Sequence, residues 1–121
     1  MTDKHAPILD FDPAIAAIIE PQELHPAIEG LPHRCVITWM GDAFSQFENS
    51  HDVTERHRFT LETVVNPIYE FDVEGEKILV TMANVGAPAA AALFEALIAI
   101  GCTDFRALGS SGGLVLSLIH I

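Results

Sequence analysis

Residues 35–40 read Cys-Val-Ile-Thr-Trp-Met and stop at Gly41-Asp42, which predicts a buried strand followed by a turn. Ligands of open α/β sheets sit outside the carboxyl ends of strands, so this end is the first candidate edge. Residues 68–73, Ile-Tyr-Glu-Phe-Asp-Val, alternate apolar with polar, Glu74-Gly75-Glu76 turns the chain, and residues 77–83 run Lys-Ile-Leu-Val-Thr-Met-Ala. This is the pattern of a hairpin with a half-exposed first strand and a buried second one. After the short loop Asn84-Val85-Gly86-Ala87, Pro88 takes the first position of a helix. In it Leu93, Phe94, Leu97, Ile98 and Ile100 recur near the helical period until Gly101 ends it. Residues 103–108 then read as a strand that stops at Gly109-Ser110-Ser111-Gly112-Gly113. The resulting β-α-β unit predicts two glycine-containing loops at the carboxyl edge of adjacent parallel strands.

The remainder is less regular. Prolines at 7, 13, 21, 26 and 32 restrict the first third to short helices, and Asp12 before Pro13 predicts about two turns over residues 13–20, closed by Pro21. Residues 43–66 are polar, carrying His51, Asp52, Glu55, Arg56, His57, Arg58 and Glu62, and are expected to form a short helix and a connection.

The chain has 121 residues, half of them hydrophobic, which suits one domain or part of one. Its 17 acidic against 6 basic side chains leave a net charge of −11. With no Lys/Arg cluster, nothing neutralises nucleic-acid phosphates or an anionic membrane, so neither is an expected partner. Cys35 and Cys102 lie far apart outside any C-x-x-C and fit buried positions in a reducing compartment. The N-terminus lacks a signal-peptide pattern, and residues 85–100 fall short of a bilayer span, so the expected location is cytoplasmic.

Three strand ends carry loops open to a ligand: Gly41-Asp42, residues 84–87 and residues 109–113. Free N–H groups at the start of the helix after Gly86, with its dipole, favour an anion, and the hydroxyls of Ser110 and Ser111 add neutral donors. Phosphate is the natural small anion. Tight turns and serine caps explain the same residues equally well. Gly109-Ser110-Ser111-Gly112-Gly113 also satisfies the G-x-S-x-G of serine hydrolases, but only His120 follows it, with no acid after the serine. His51 and His57, six apart, do not suit a metal on one helical face, and no metal ligands are assigned.

The block from Lys77 to Leu114 resembles the corresponding block of the nucleoside phosphorylase family, of purine and uridine phosphorylase type, in a uridine-phosphorylase-like branch. It combines a strand, an Asn-Val-Gly-Ala-Pro loop, an alanine-rich helix, Gly-Cys, a second strand and Gly-Ser-Ser-Gly-Gly. The opening Pro7-Ile8-Leu9-Asp10-Phe11-Asp12-Pro13, residues 35–40 and Pro67-Ile68-Tyr69-Glu70 are similar to that branch as well. The resemblance implies an α/β fold, a phosphorylase-type mixed sheet with flanking helices on both faces, of which this chain is the N-terminal half of a larger single domain. It implies an enzyme, a pentosyltransferase, in which phosphate cleaves a nucleoside to free base and pentose 1-phosphate. A pyrimidine nucleoside such as uridine is slightly favoured, phosphate is a co-substrate with no other cofactor, and the parent is a homo-oligomer. Carried over by position, Gly41, Gly86 and Ser110 face phosphate and ribose. His25 lies near a family histidine that reaches a neighbouring subunit's ribose, and Ser111 and Arg58 are secondary candidates.

The chain departs from the family where charge matters. The family's Gly-Asp-Pro-x-Arg loop is Gly41-Asp42-Ala43-Phe44-Ser45 here, and the second family arginine falls at Ala107, with Arg106 one residue off on the opposite strand face. Either Arg56 or Arg58 substitutes, or the anion is bound weakly, or water replaces phosphate as in related nucleosidases. A non-catalytic anion-binding domain is the alternative of a different class. Residues 115–121, Val-Leu-Ser-Leu-Ile-His-Ile, resemble translated adapter sequence, so the native part is read as about 1–114 with a foreign, solubility-lowering tail. The family's base- and ribose-recognition segments would lie beyond it, and the 121-residue chain alone is expected to be inactive.

Overall fold

Glu74 and Gly75 organise the antiparallel half of the sheet. The computed structural model describes residues 18–61 and 63–111, and both turn residues take positive φ, 55° and 88°. That mirror-image turn has the twist of a tight hairpin, and glycine adopts its second position without strain. It joins β3 (Val65–Val73) to β4 (Glu76–Met82), paired antiparallel from Ile68 opposite Thr81 to Val73 opposite Glu76. The outer strand β2 (Thr54–Thr60) pairs antiparallel with β3 and carries a bulge between Glu55 and His57.

The parallel half is built around β1 (Arg34–Thr38). It pairs with β4, Cys35 opposite Leu79, and with β5 (Asp104–Leu108), Cys35 opposite Phe105. Strand order is β2-β3-β4-β1-β5. The crossover from β4 to β5 through α3 (Ala87–Ile100) therefore passes over β1. This corrects the expectation that the two strands it joins are neighbours: β1 fills the slot between them, and three carboxyl strand ends stand side by side instead of two.

Alternation along the strands puts Cys35, Ile37, Phe59, Ile68 and Leu79 on one face, where Leu93, Leu97 and Ile100 of α3 close the core. Cys35 and Cys102 are buried free thiols within it, and the neighbouring Cys102 thiol, then burial, push the Cys35 thiol up. On the other face lies α2 (Gly41–Ser50), with Phe44 6.0 Å from Tyr69 and Phe47 4.6 Å from Phe71, ring centre to ring centre. Tyr69 donates its hydroxyl to Glu48, which with burial pushes its pKa up to about 12. The architecture is a mixed α/β fold with a five-stranded sheet and flanking helices.

Three local expectations change. Gly41 and Asp42 are not a free turn but the first turn of α2, directly after β1. The polar stretch after it holds a full strand, β2, of which only Phe59 is buried; an edge strand exposed on most of its surface needs no apolar alternation. Near the start, residues 18–20 are not helical, and Pro21 opens the short helix α1 (Pro21–Leu24) where it was expected to close one. Proline suits a helix start because its missing N–H is not needed there. Residues 13–17, Gly112, Gly113, His120 and the 115–121 tail lie outside the described residues. No helix among the described residues is long and apolar enough to cross a membrane.

One charged cluster is built into this frame. Glu70 on β3 is 8% exposed, and its carboxylate accepts from Lys77 Nζ at 2.8 Å and from Arg56 Nη1. Arg56 is the extra residue of the β2 bulge, which aims it at Glu70 and on toward the Gly30 carbonyl.

Candidate functional site

Trp39 joins the three strand ends. Its backbone N–H donates to the Leu108 carbonyl at 3.1 Å, at the end of β5. Its indole Nε1–H donates to the Asn84 carbonyl at 3.0 Å, just beyond β4. The Ala83 N–H donates in turn to the Thr38 carbonyl at 2.9 Å. A Cβ added at Gly41 would lie 3.9 Å from Met82 Sδ, and one at Gly109 would lie 4.0 Å from Trp39 Cε3. The structure thus brings the loops of Gly41, Gly86 and Ser110 to one edge of the sheet, as their positions after β1, β4 and β5 require.

Two helices also begin there, from opposite faces. N-cap positions are occupied by Met40 for α2 and Gly86 for α3, and neither supplies a side-chain cap. The first intrahelical bonds are Phe44 N–H to the Met40 carbonyl and Ala90 N–H to the Gly86 carbonyl. Gly41, Asp42 and Ala43 on α2, and Ala87 and Ala89 on α3, therefore keep N–H groups that no helical carbonyl takes, while Pro88 has none. Asp42 puts a carboxylate in the first turn of α2, whereas α3 has no acidic residue in its first turn. The α3 terminus is the better place for an anion. Gly86 holds φ at 110°, which L side chains rarely adopt, so the loop into α3 depends on glycine.

Every described Lys and Arg side chain is in an ion pair. Arg34 pairs with Glu76 and Asp104, Arg56 and Lys77 with Glu70, Arg58 with Glu55, and Arg106 with Asp104. Of the two arginines considered as substitutes for a phosphate arginine, Arg56 is engaged by Glu70, and Arg58 sits on the outer strand β2, held by Glu55 through two bonds of 2.8 and 2.6 Å. Arg106 turns back to Asp104 at 2.6 Å. Ser110 and Ser111 are exposed beyond β5. No group of three His, Cys, Asp or Glu is gathered among the described residues.

On the α3 face a cleft of about 360 Å³ opens beside Asn84, lined also by Leu24, His25, Phe59, Leu61 and Leu93. Its size falls within the range of small-molecule pockets, roughly 300–1,000 Å³, and its wall is mostly apolar with a polar end. His25 stands edge-on to Phe59, centres 4.8 Å apart, and His57 does the same from within β2 at 4.9 Å. Burial, and then the nearby His25, lower the pKa of His57. The polar end is an amide pair: Asn66 and Asn84 donate to each other at 3.3 Å, and Asn66, 2% exposed, also donates to the Met82 carbonyl at 2.7 Å.

A similar arrangement of strands and helices occurs in part of a uridine phosphorylase. The crystal structure of that enzyme from Vibrio fischeri ES114, in complex with 6-hydroxy-1-naphthoic acid, matches with a TM-score of 0.57 at 19% identity, over 75% of this chain and 39% of its own. The fold is nucleoside phosphorylase-like. This chain spans about two fifths of the length of that structure. No family model matches the chain, and no curated protein matches it in sequence.

Three residues of the edge are not visible as such in the sequence. Asn66 and Asn84 meet only through the β3–β4 register, and Trp39 reads as an ordinary strand aromatic until β4 and β5 are known to flank β1.

Proposed function

We propose that the chain is the phosphate- and ribose-facing part of a nucleoside phosphorylase-like enzyme, a pentosyltransferase acting with phosphate on a nucleoside, with pyrimidine nucleosides favoured. The convergence of Gly41, Gly86 and Ser110 on one sheet edge, beside the uncapped start of α3, carries the reading. A phosphate oxygen attacks C1′, the N-glycosidic bond breaks, and its electron pair leaves with the base. Backbone N–H groups of the Gly86 loop and α3, with the Ser110 hydroxyl, hold the phosphate by neutral donors, and the cleft at Asn84 and His25 gives room beside it. Phosphate is the co-substrate, and the working protein is a cytoplasmic homo-oligomer.

That every described Lys and Arg side chain is already ion-paired favours a second reading, a nucleosidase in which water takes the place of phosphate. Release of free base from nucleosides, measured with and without phosphate, separates the two. The 121-residue chain is expected to release none. With the remaining part of a phosphorylase-like domain attached, release should require phosphate; release without it makes the protein a nucleosidase, and no release from any nucleoside supports a non-catalytic anion-binding domain. In the active form, Ser110→Ala should cost about 1–3 kcal/mol of transition-state binding, read from kcat/KM.

A further inference from the structure

The Asn84–Gly86 loop has no regular structure of its own, yet two side chains from other strands hold it. From β3, Asn66 grips the Asn84 amide and the Met82 carbonyl. From the end of β1, the Trp39 indole takes the Asn84 carbonyl at 3.0 Å. Trp39 also fixes the opposite side of the edge, through its own N–H to Leu108 at 3.1 Å. The next residue, Met40, is fixed by the Thr38 hydroxyl, which accepts its N–H at 3.1 Å. Trp39 therefore links the two sides of the edge, its backbone bonded to the end of β5 and its half-buried indole, packed on the core, bonded to the loop that leads to Gly86.

We infer that Trp39 is a positioning residue for the anion: it sets the separation of the Gly86 and Ser110 loops, so that donors from both reach one ligand. This rests on the phosphate reading above. Trp39 is the single tryptophan of the chain, so its emission reports on the edge directly. The Trp39→Phe variant removes the indole N–H while keeping an aromatic ring and the backbone bond to Leu108.

The test uses the 121-residue chain and inorganic phosphate, with sodium chloride at matched ionic strength as control. In the wild type, phosphate should change Trp39 emission and shift the amide resonances of Gly86 and Ser110. In Trp39→Phe, the amides of Val85 and Gly86 should exchange with solvent at least tenfold faster. Those of β4 and the middle of α3 should be unchanged, with the thermal midpoint within a few degrees of wild type. Phosphate affinity, read from the amide shifts, should fall about tenfold. Unchanged loop exchange overturns the clamp, and faster exchange with unchanged affinity overturns its role in positioning the anion. If wild-type emission and amides ignore phosphate, the phosphate reading fails, while the exchange comparison still decides whether Trp39 holds the loop. Should Trp39→Phe not fold, the same exchange and affinity comparisons are made on Trp39→Tyr, which also lacks the indole N–H and keeps an aromatic ring, and they decide by the same outcomes.

Discussion

Gly86→Val should abolish phosphate binding and any phosphate-dependent turnover while leaving the fold in place. Gly86 sits at φ 110° with no atom within 4 Å of an added Cβ, so the obstacle is backbone conformation and not space. A β-branched residue there either carries strain of about 1–3 kcal/mol or drives the loop into another conformation. The loop's far side is pinned by Asn66 and Trp39, so the movement falls on Gly86 and the start of α3, where the free N–H groups are. Displacement of a binding group by about 1 Å is enough for roughly a hundredfold loss. Circular dichroism should show the helices and sheet retained, with a modest fall in thermal midpoint. Retained phosphate binding in a folded Gly86→Val protein would remove this loop from the site.

Glu70→Gln should produce the largest loss of stability among surface-connected charges. The carboxylate is 8% exposed and serves Lys77 and Arg56, themselves 65% and 26% exposed. Removing one member of a buried pair costs about 3–5 kcal/mol, and the exposure of both cations brings the expected loss nearer 1–3 kcal/mol. The Lys77 bond first, then the nearby Arg56, hold the Glu70 carboxyl below its usual range against the opposing effect of burial. Its contribution is thus fully present above the ordinary carboxylate value of about 4.3 and is lost as pH falls through the lowered folded value. Urea midpoints followed from neutral to acid pH should show wild type losing its advantage over Glu70→Gln in that window. Parallel pH profiles for the two proteins would refute the coupling.

The parts of the fold that were legible in the sequence are those whose signals are local. Pro88 and Gly101 bracket α3, and Glu74-Gly75 marks the hairpin, because each acts through its own backbone. Strand β2 escaped because Thr-Glu-Arg-His-Arg-Phe-Thr belongs to an edge where one apolar residue, Phe59, suffices. The order of strands escaped because nothing in residues 35–40 says which partners they take. At the candidate site the glycines and serines were legible as loop residues. Their mutual placement was not, since it depends on Trp39 meeting residues on two other strands. The arginines show the reverse: Arg56 and Arg58 looked available as phosphate ligands, and only the ion pairs with Glu70 and Glu55 reveal that both are engaged.

The slot that β1 fills has a consequence for how the molecule assembles. β1 ends at Thr38, but both of its neighbours come later, β4 from Glu76 and β5 from Asp104. The meander β2-β3-β4 needs only short loop closures and can form by itself as the chain is made. Through that time β1 has no partner on either side, and its two pairings wait for β4 and, beyond α3, for β5. The last pairing, β1 with β5, spans the greatest stretch of chain and is the one that brings Leu108 to Trp39. The edge with the candidate anion loops therefore rests on the most sequence-distant pairing of the sheet and is expected to close last, which slower acquisition of exchange protection at β5 than at the β2-β3-β4 meander would show.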